Sequence, residues 1–330
     1  MSAVNMDVVG LGNAIVDVLS RADEEFLIDE GLTKGTMALI DSVAAERLYG
    51  RVGPSVEASG GSCANTIAGI AALGGRVGFI GRVRDDELGR IFTHDIRAAG
   101  VQYDTPPAGD GATTARCLVM VTPDAQRTMC TYLGASVDLA PGDVDTDLVA
   151  GAAVTYLEGY LWDPPEAKEA FRTAMAAAKS AGRRVALTLS DPFCVDRHRD
   201  EFRALVDGEV DILFANHEEL MALYETDDLD AAIAAVRGRC EVAVVTRSAQ
   251  GSVVVTADAV HEVPAAPVSQ VVDTTGAGDL YAAGFLHGFT SGRDLVDCAR
   301  LGSIAAAEVI QHFGARPEQD LSALAAAAGL

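Results

Sequence analysis

The chain has 330 residues, 49% hydrophobic and 22% charged, with 48 acidic side chains against 25 basic ones and a formal charge of −23. At about 150 residues per domain this length allows one large or two smaller domains, and a chain of this size buries roughly three quarters of its unfolded surface, so its core needs no staple. Disorder and collagen-like structure are excluded, and an acidic surface that repels a phosphate backbone or an anionic membrane makes neither nucleic acid nor membrane an expected partner.

The first apolar run, residues 6–10, reads as a buried strand, and residues 14–21 and 36–40 follow as short strands with partial polar alternation. A second buried strand is expected at 77–83. Another partly alternating pair, 116–122 and 127–133, is joined by the turn sequence Pro123-Asp124-Ala125-Gln126. These interruptions read either as a small separate sheet or as an edge hairpin of the main one, and periodicity leaves the two level. Strands at 154–157, 184–189, 210–214 and 242–246 then alternate with alanine-rich helices such as 166–181 and 230–237. That rhythm predicts a parallel sheet covered by helices, an α/β core. A hairpin at 252–256 and 260–263 and two consecutive helices, 280–290 and 295–310, complete the chain. No repeat or linker divides it, so a single domain over 1–330 is expected.

Cys63, Cys117, Cys130, Cys194, Cys240 and Cys298 lie far apart, with no CxxC pair and no zinc spacing, and read as reduced, mostly buried thiols. Without a leader peptide or a long apolar run, the cytoplasm is the expected compartment.

Three motifs fail. Gly10-Leu11-Gly12 starts like a dinucleotide fingerprint, but Ile15 stands where the third glycine belongs. None of the lysines, Lys34, Lys168 and Lys179, follows a glycine, so there is no P-loop. His198-Arg199-Asp200 mimics a protein-kinase loop, yet Leu205 occupies the metal-binding asparagine position, leaving a chance match on a solvated helix.

One motif carries chemistry. In Asp273-Thr274-Thr275-Gly276-Ala277-Gly278-Asp279, two glycines let the backbone approach a ligand while the following helix adds unpaired amides and its dipole, which together form an anion hole. Those amides are expected to keep Asp279 ionised and able to accept a proton from a hydroxyl. A Gly-rich loop with an aspartate that merely caps a helix is the plainer alternative.

The segment resembles the signature of the ribokinase-like, phosphofructokinase B type family of carbohydrate and nucleoside kinases. Ser59-Gly60-Gly61-Ser62-Cys63-Ala64-Asn65 is similar to the family's Gly-Gly signature, Gly12-Asn13 with Asp17 to a strand end that binds adjacent hydroxyls, and Asn216-His217-Glu218-Glu219 to an Asn-x-x-Glu motif. Within the family the chain is most similar to adenosine kinases, through residues 12–17, Leu187-Thr188-Leu189-Ser190-Asp191-Pro192-Phe193 and Gly159-Tyr160-Leu161. The resemblance implies a three-layer α/β/α domain, a mostly parallel central sheet, and a small β-sheet lid inserted at about 14–21, 36–40 and 112–133. It implies Asp279 as catalytic base, with Gly276, Ala277 and Gly278 receiving the transferred phosphoryl group. Asn13, Asp17, Gly60, Gly61 and Asn65 would hold the sugar, Tyr160 would stack on a purine, and Met37 and Leu39 with Leu118 or Met120 would cover it. Arg127 would reach the phosphates. For ATP the resemblance implies Asn216, Thr246 and Gly251, although Ser248 replaces the usual first glycine of that loop and leaves Arg247 either on phosphate or in water. Glu219 would organise Mg²⁺ through water, and Asp273 with Thr275 matches a monovalent-cation position, adding K⁺ as an optional ligand. Trp162 is read either as a wall of the base pocket or as a cap outside the sheet.

The implied activity is transfer of the ATP γ-phosphoryl to the primary 5′-hydroxyl of a nucleoside, adenosine first, by a monomer or homodimer. The alternatives are a sugar kinase acting on ribose, fructose or 2-keto-3-deoxygluconate, and a non-catalytic nucleoside sensor.

Overall fold

Side chains along the first strand go alternately to two different cores: Val8 packs into one, Val9 and Leu11 into the other, and none is exposed. A strand buried on both faces belongs inside a sheet covered by helices on each side. The computed structural model describes residues 4–124 and 126–330, so Ala125, in the expected turn, lies outside the described residues. In chain order its strands are β1 (Met6–Leu11), β2 (Ile15–Arg21), β3 (Met37–Leu39), β4 (Ser55–Gly60), β5 (Val77–Ile80), β6 (Ala115–Val121) and β7 (Arg127–Tyr132). They continue with β8 (Ala152–Glu158), β9 (Arg184–Thr188), β10 (Ile212–Asn216), β11 (Val242–Thr246), β12 (Ser252–Val255) and β13 (Val260–Val263).

Eight strands form the main sheet in the order β13-β12-β11-β10-β9-β8-β1-β5, parallel from β11 through β5 and antiparallel in the final hairpin. Helices Ser62–Ala72, Ala277–Thr290 and Leu295–Val309 contribute to the core on one face. Pro165–Ser180, Pro192–Gly208, His217–Tyr224 and Leu229–Val236 contribute to the other. The fold is the three-layer α/β arrangement that the alternation implies. Helix Ala277–Thr290 is apolar almost all round because it is buried between its neighbours, with Leu280, Phe285 and Leu286 at zero exposure.

The interruptions form a sheet of their own, ordered β3-β7-β6-β2-β4, which decides against an edge hairpin. β4 is the strand the pattern does not reveal: its sequence, SVEASG, is short of β-branched residues and is held by antiparallel pairing to β2. Register also corrects the assignment of Leu118 and Met120. Asp17 pairs with Cys117, Leu19 with Val119, and Met37 with Met129, so these share one face. Leu118 and Met120 lie on the opposite face, fully buried with Leu27 and Leu48 from two covering helices. In a period of two, an offset of one residue exchanges the faces.

Candidate functional site

The carboxyl ends of β8 to β11 border a cavity of about 100 Å³ lined by Thr188, Asn216, Thr246, Gly278 and Asp279, among others. Ligands of parallel α/β sheets bind at this end of the strands. The helices Ser62–Ala72, His217–Tyr224 and Ala277–Thr290 all begin here, with Ser62, Asn216 and Gly278 on the wall. Their free amides and dipoles give an acidic protein a place for an anion. Gly276 caps the last helix at φ +78°, and a Cβ there would fall 2.7 Å from that of Ala315, so this turn admits only glycine. Ala277 is the first residue of that helix, and Gly61 caps the helix Ser62–Ala72.

Asp279 stands in the first turn of its helix and faces the cavity. Ser62 Oγ donates to its Oδ1 at 2.7 Å and Asn65 Nδ2 to its Oδ2 at 3.1 Å. The expected grip by helix amides is thus replaced by two side chains, and Asn65 is turned to the carboxylate. Burial raises the Asp279 pKa above its ordinary value, opposed by Ser62, Asn65 and the charge of Arg316. Two neutral donors do not fully replace lost water. Asp17 abuts Gly60, where a Cβ would lie 2.3 Å from its Oδ2. Burial pushes its pKa up to about 6; Arg316 and Arg127 hold it down and Asp279 raises it.

Arg127 of β7 forms an ion pair with Asp273, their side chains only 8% and 2% exposed. The Asp273 carboxylate also accepts from the amides of Thr275 at 3.0 Å and Gly314 at 3.1 Å. These residues do not fit a monovalent cation beside Asp273, because the guanidinium already supplies the counter-charge.

Asn216 caps its helix in a reciprocal box with Glu219. Its Oδ1 accepts from the Glu219 amide at 2.8 Å, and its own N–H and Nδ2 donate to the Glu219 carboxylate at 2.9 and 2.7 Å. Glu219 also faces the cavity. Burial carries its pKa to about 7; the Asn216 amide lowers it, while Asp191 and Glu218 add to the rise. Each carboxylate oxygen retains a lone pair, so this uncompensated acid on a cavity wall fits a divalent cation held through water. Among the described residues no three His, Cys, Asp or Glu side chains form a ready coordination cage.

Of the other expected residues, only Thr246 lines this cavity. Asn13 is buried, donating to Glu158 at 2.6 Å and accepting from Ser136 at 2.8 Å, and so serves the interior. Tyr160 packs toward the core around Trp162 and donates its hydroxyl to the Ser190 carbonyl at 3.2 Å, while Tyr156 lines the cavity. Trp162 caps the outside of the sheet, buried against Phe171 and Phe202 with its indole N–H on Glu201. Met37 and Leu39 are exposed on β3, on the face that carries Asp17. Thr246 reaches the cavity, Gly251 sits in the turn before β12, and Arg247 pairs with Glu262. Ser248 adopts φ +51°, the left-handed state that glycine takes freely.

Sequence reasoning misses Ser62, Glu158 and Arg316. Ser62 sits inside a segment valued for its glycines. Glu158 accepts from Asn13 and from the Cys63 amide, and burial drives its pKa to about 7. Arg316 belongs to no motif and shows itself only in the folded chain.

A family model described as pfkB family carbohydrate kinase matches residues 37–321. An adenosine kinase from Sinorhizobium meliloti is 54% identical, with a TM-score of 0.91 over 98% of this chain and 99% of its own. A structure described as a probable sugar kinase protein from Rhizobium etli is 52% identical, with a TM-score of 0.93 over 99% of each chain. An adenosine kinase from Saccharomyces cerevisiae is 28% identical over 329 residues, 93% of this chain and 95% of its own. Among the described residues no helix is long and apolar enough to cross a membrane.

Proposed function

The chain belongs to the pfkB family of carbohydrate kinases, phosphotransferases with an alcohol acceptor, and from that premise we propose that it transfers the γ-phosphoryl group of ATP to the 5′-hydroxyl of adenosine. The observation that carries this reading is Asp279, a part-buried carboxylate held by Ser62 and Asn65 at the mouth of an amide-lined helix start. A base for an alcohol needs proton affinity above that of a free carboxylate, and desolvation supplies it. Asp279 accepts the hydroxyl proton, Ser62 and Asn65 fix its two oxygens, and the amides at 276–278 meet the charge of the incoming phosphoryl group. Asp17 and Gly60 face the sugar.

Glu219 would hold Mg²⁺ through water, and the ion would supply neutralisation of the phosphate charge there. Asn216 and Thr246 flank the nucleotide end. The small sheet closes over the acceptor and excludes water, which would otherwise take the phosphoryl group. Its inner face, with Leu19, Val119, Met129 and Met37, offers an apolar wall suited to a base more than to a bare sugar. The likeness to adenosine kinases over nearly whole chains supports the nucleoside. The Rhizobium etli neighbour keeps a sugar acceptor as the second reading.

An ADP-release assay with adenosine, inosine, guanosine, ribose and fructose tests the choice. Turnover with adenosine well above the others is expected; turnover of free sugars alone replaces the nucleoside with a sugar.

A further inference from the structure

We infer that Glu158, with Asn13 and Ser136, is a positioning residue at the pivot of the small sheet: a buried hydrogen-bonded junction about which that sheet swings as one body while Ser62 stays on Asp279. The inference rests on the small sheet closing over the acceptor, as in the proposed function, and not on which acceptor it is.

The chain passes between the two sheets four times, from β1 to β2, from β4 to β5, from β5 to β6 and from β7 to β8. Three of these passages meet at the carboxylate of Glu158, the last residue of β8. Asn13, between β1 and β2, donates from Nδ2 to one oxygen at 2.6 Å. The amide of Cys63, in the first turn of the helix that follows β4, donates to the other at 2.9 Å. Ser136, in the turn Gly134–Asp138 that follows β7, donates its hydroxyl to Asn13 Oδ1 at 2.8 Å. The fourth passage starts alongside, where the Gly12 amide donates to the carbonyl of Ile80, the end of β5, at 3.2 Å. A side chain at position 12 would run into the same carboxylate, with its Cβ 2.5 Å from Oε2. Asn13, Cys63, Ser136 and Glu158 are each no more than 2% exposed.

Apolar contacts at such a point could slide. Directional hydrogen bonds between buried groups resist it, because each one broken leaves a polar atom unpaired and out of reach of water. The junction therefore keeps the passages together while the strands beyond them move. Cys63 directly follows Ser62, whose hydroxyl holds Asp279, so the same carboxylate keeps the proton acceptor in register with the moving sheet.

The test is hydrogen–deuterium exchange of the full chain in its natural form and as Glu158→Leu, Glu158→Gln and Ser136→Ala, with adenosine kinetics beside it. In Glu158→Leu, exchange at 12–20, 55–66 and 127–138 should rise together by about tenfold while β9, β10 and β11 keep their natural rates. KM for adenosine should rise about tenfold, the effect of a tenfold smaller closed population, with kcat changed by less than about threefold. Glu158→Gln should restore both. With the Asn13 amide turned over, the new side chain accepts from the Cys63 amide and donates to Asn13, whose Nδ2 then faces the Ser136 hydroxyl. Ser136→Ala should loosen 12–20 and 127–138 and leave 55–66 alone. Exchange that is unchanged, or raised evenly through the chain, overturns the pivot, and so does raised exchange at the three segments with KM unmoved. If Glu158→Leu does not fold, Ser136→Ala decides: a rise confined to its two segments supports the pivot, and any other pattern refutes it. A natural protein inert toward every nucleoside and sugar defeats the proposed function instead, and the exchange pattern still decides for or against the pivot.

Discussion

The helices that start at His217 and Ala277 each bring a carboxylate to the same cavity, by different means. Glu219 is held locally: its partner Asn216 lies three residues away, and the box they form would exist on an isolated helix. Asp279 is held by Ser62 and Asn65, 217 and 214 residues distant, and feels Arg316 through space. Only Asp279 has a protein cation acting on it, whereas the charges that act on Glu219 are those of Asp191 and Glu218. Under the proposed function, the acid compensated by a protein cation serves as proton acceptor, and the one left uncompensated at the cavity wall serves the cation.

The strongest test of that contrast is Asp279→Asn. Turnover should fall about 10²–10⁴-fold, the usual weight of a general base, while nucleoside affinity measured by calorimetry stays within a few-fold. Unchanged turnover would remove the base assignment. Glu219→Gln keeps the backbone half of the capping box but leaves one carboxylate acceptor unreplaced, so its melting temperature should fall only slightly while the Mg²⁺ concentration for half-maximal rate rises about tenfold. A lost cap with an unchanged Mg²⁺ requirement would make Glu219 purely structural.

Acids whose pKa rises on folding also set the pH dependence of stability. The pKa values of Asp17, at about 6, and of Glu158 and Glu219, at about 7, lie above their unfolded values. The folded state then binds protons more tightly, so these groups add stability as pH falls from 8 through 6 and withdraw it as pH rises, each tenfold gain in proton affinity on folding counting about 1.4 kcal/mol. Urea midpoints should be higher at pH 6 than at pH 8, and Glu158→Gln should flatten the difference. A control away from both helix starts is Ser248→Gly, which relieves a left-handed φ of +51°; relief of about 1–2 kcal/mol against a glycine entropy penalty of about 0.5–1 kcal/mol predicts a small gain in melting temperature.

Much of this was legible in the chain. A buried strand such as β11 announces itself as a β-branched run, because burial on both faces leaves no polar alternation to confuse. Asn216 and Glu219 are legible for the same reason that their contact is local. β4 is not, since its pairing with β2 supplies what its composition lacks. Leu118 and Met120 resemble their inward-facing neighbours Cys117 and Val119 in hydrophobicity, so only register decides which pair faces Asp17. Tyr160 sits at a strand end as expected, but the Ser190 carbonyl claims its hydroxyl. The surroundings of Asp279 come from three segments far apart in sequence, and no spacing rule connects 62, 279 and 316.

The Arg127–Asp273 pair joins the small sheet to the loop ahead of the helix Ala277–Thr290. Parting the two sheets means rehydrating both charges at one stroke, and once they stand more than about 8 Å apart at physiological ionic strength little attraction survives. Such a joint favours a snap between shut and open over a graded drift.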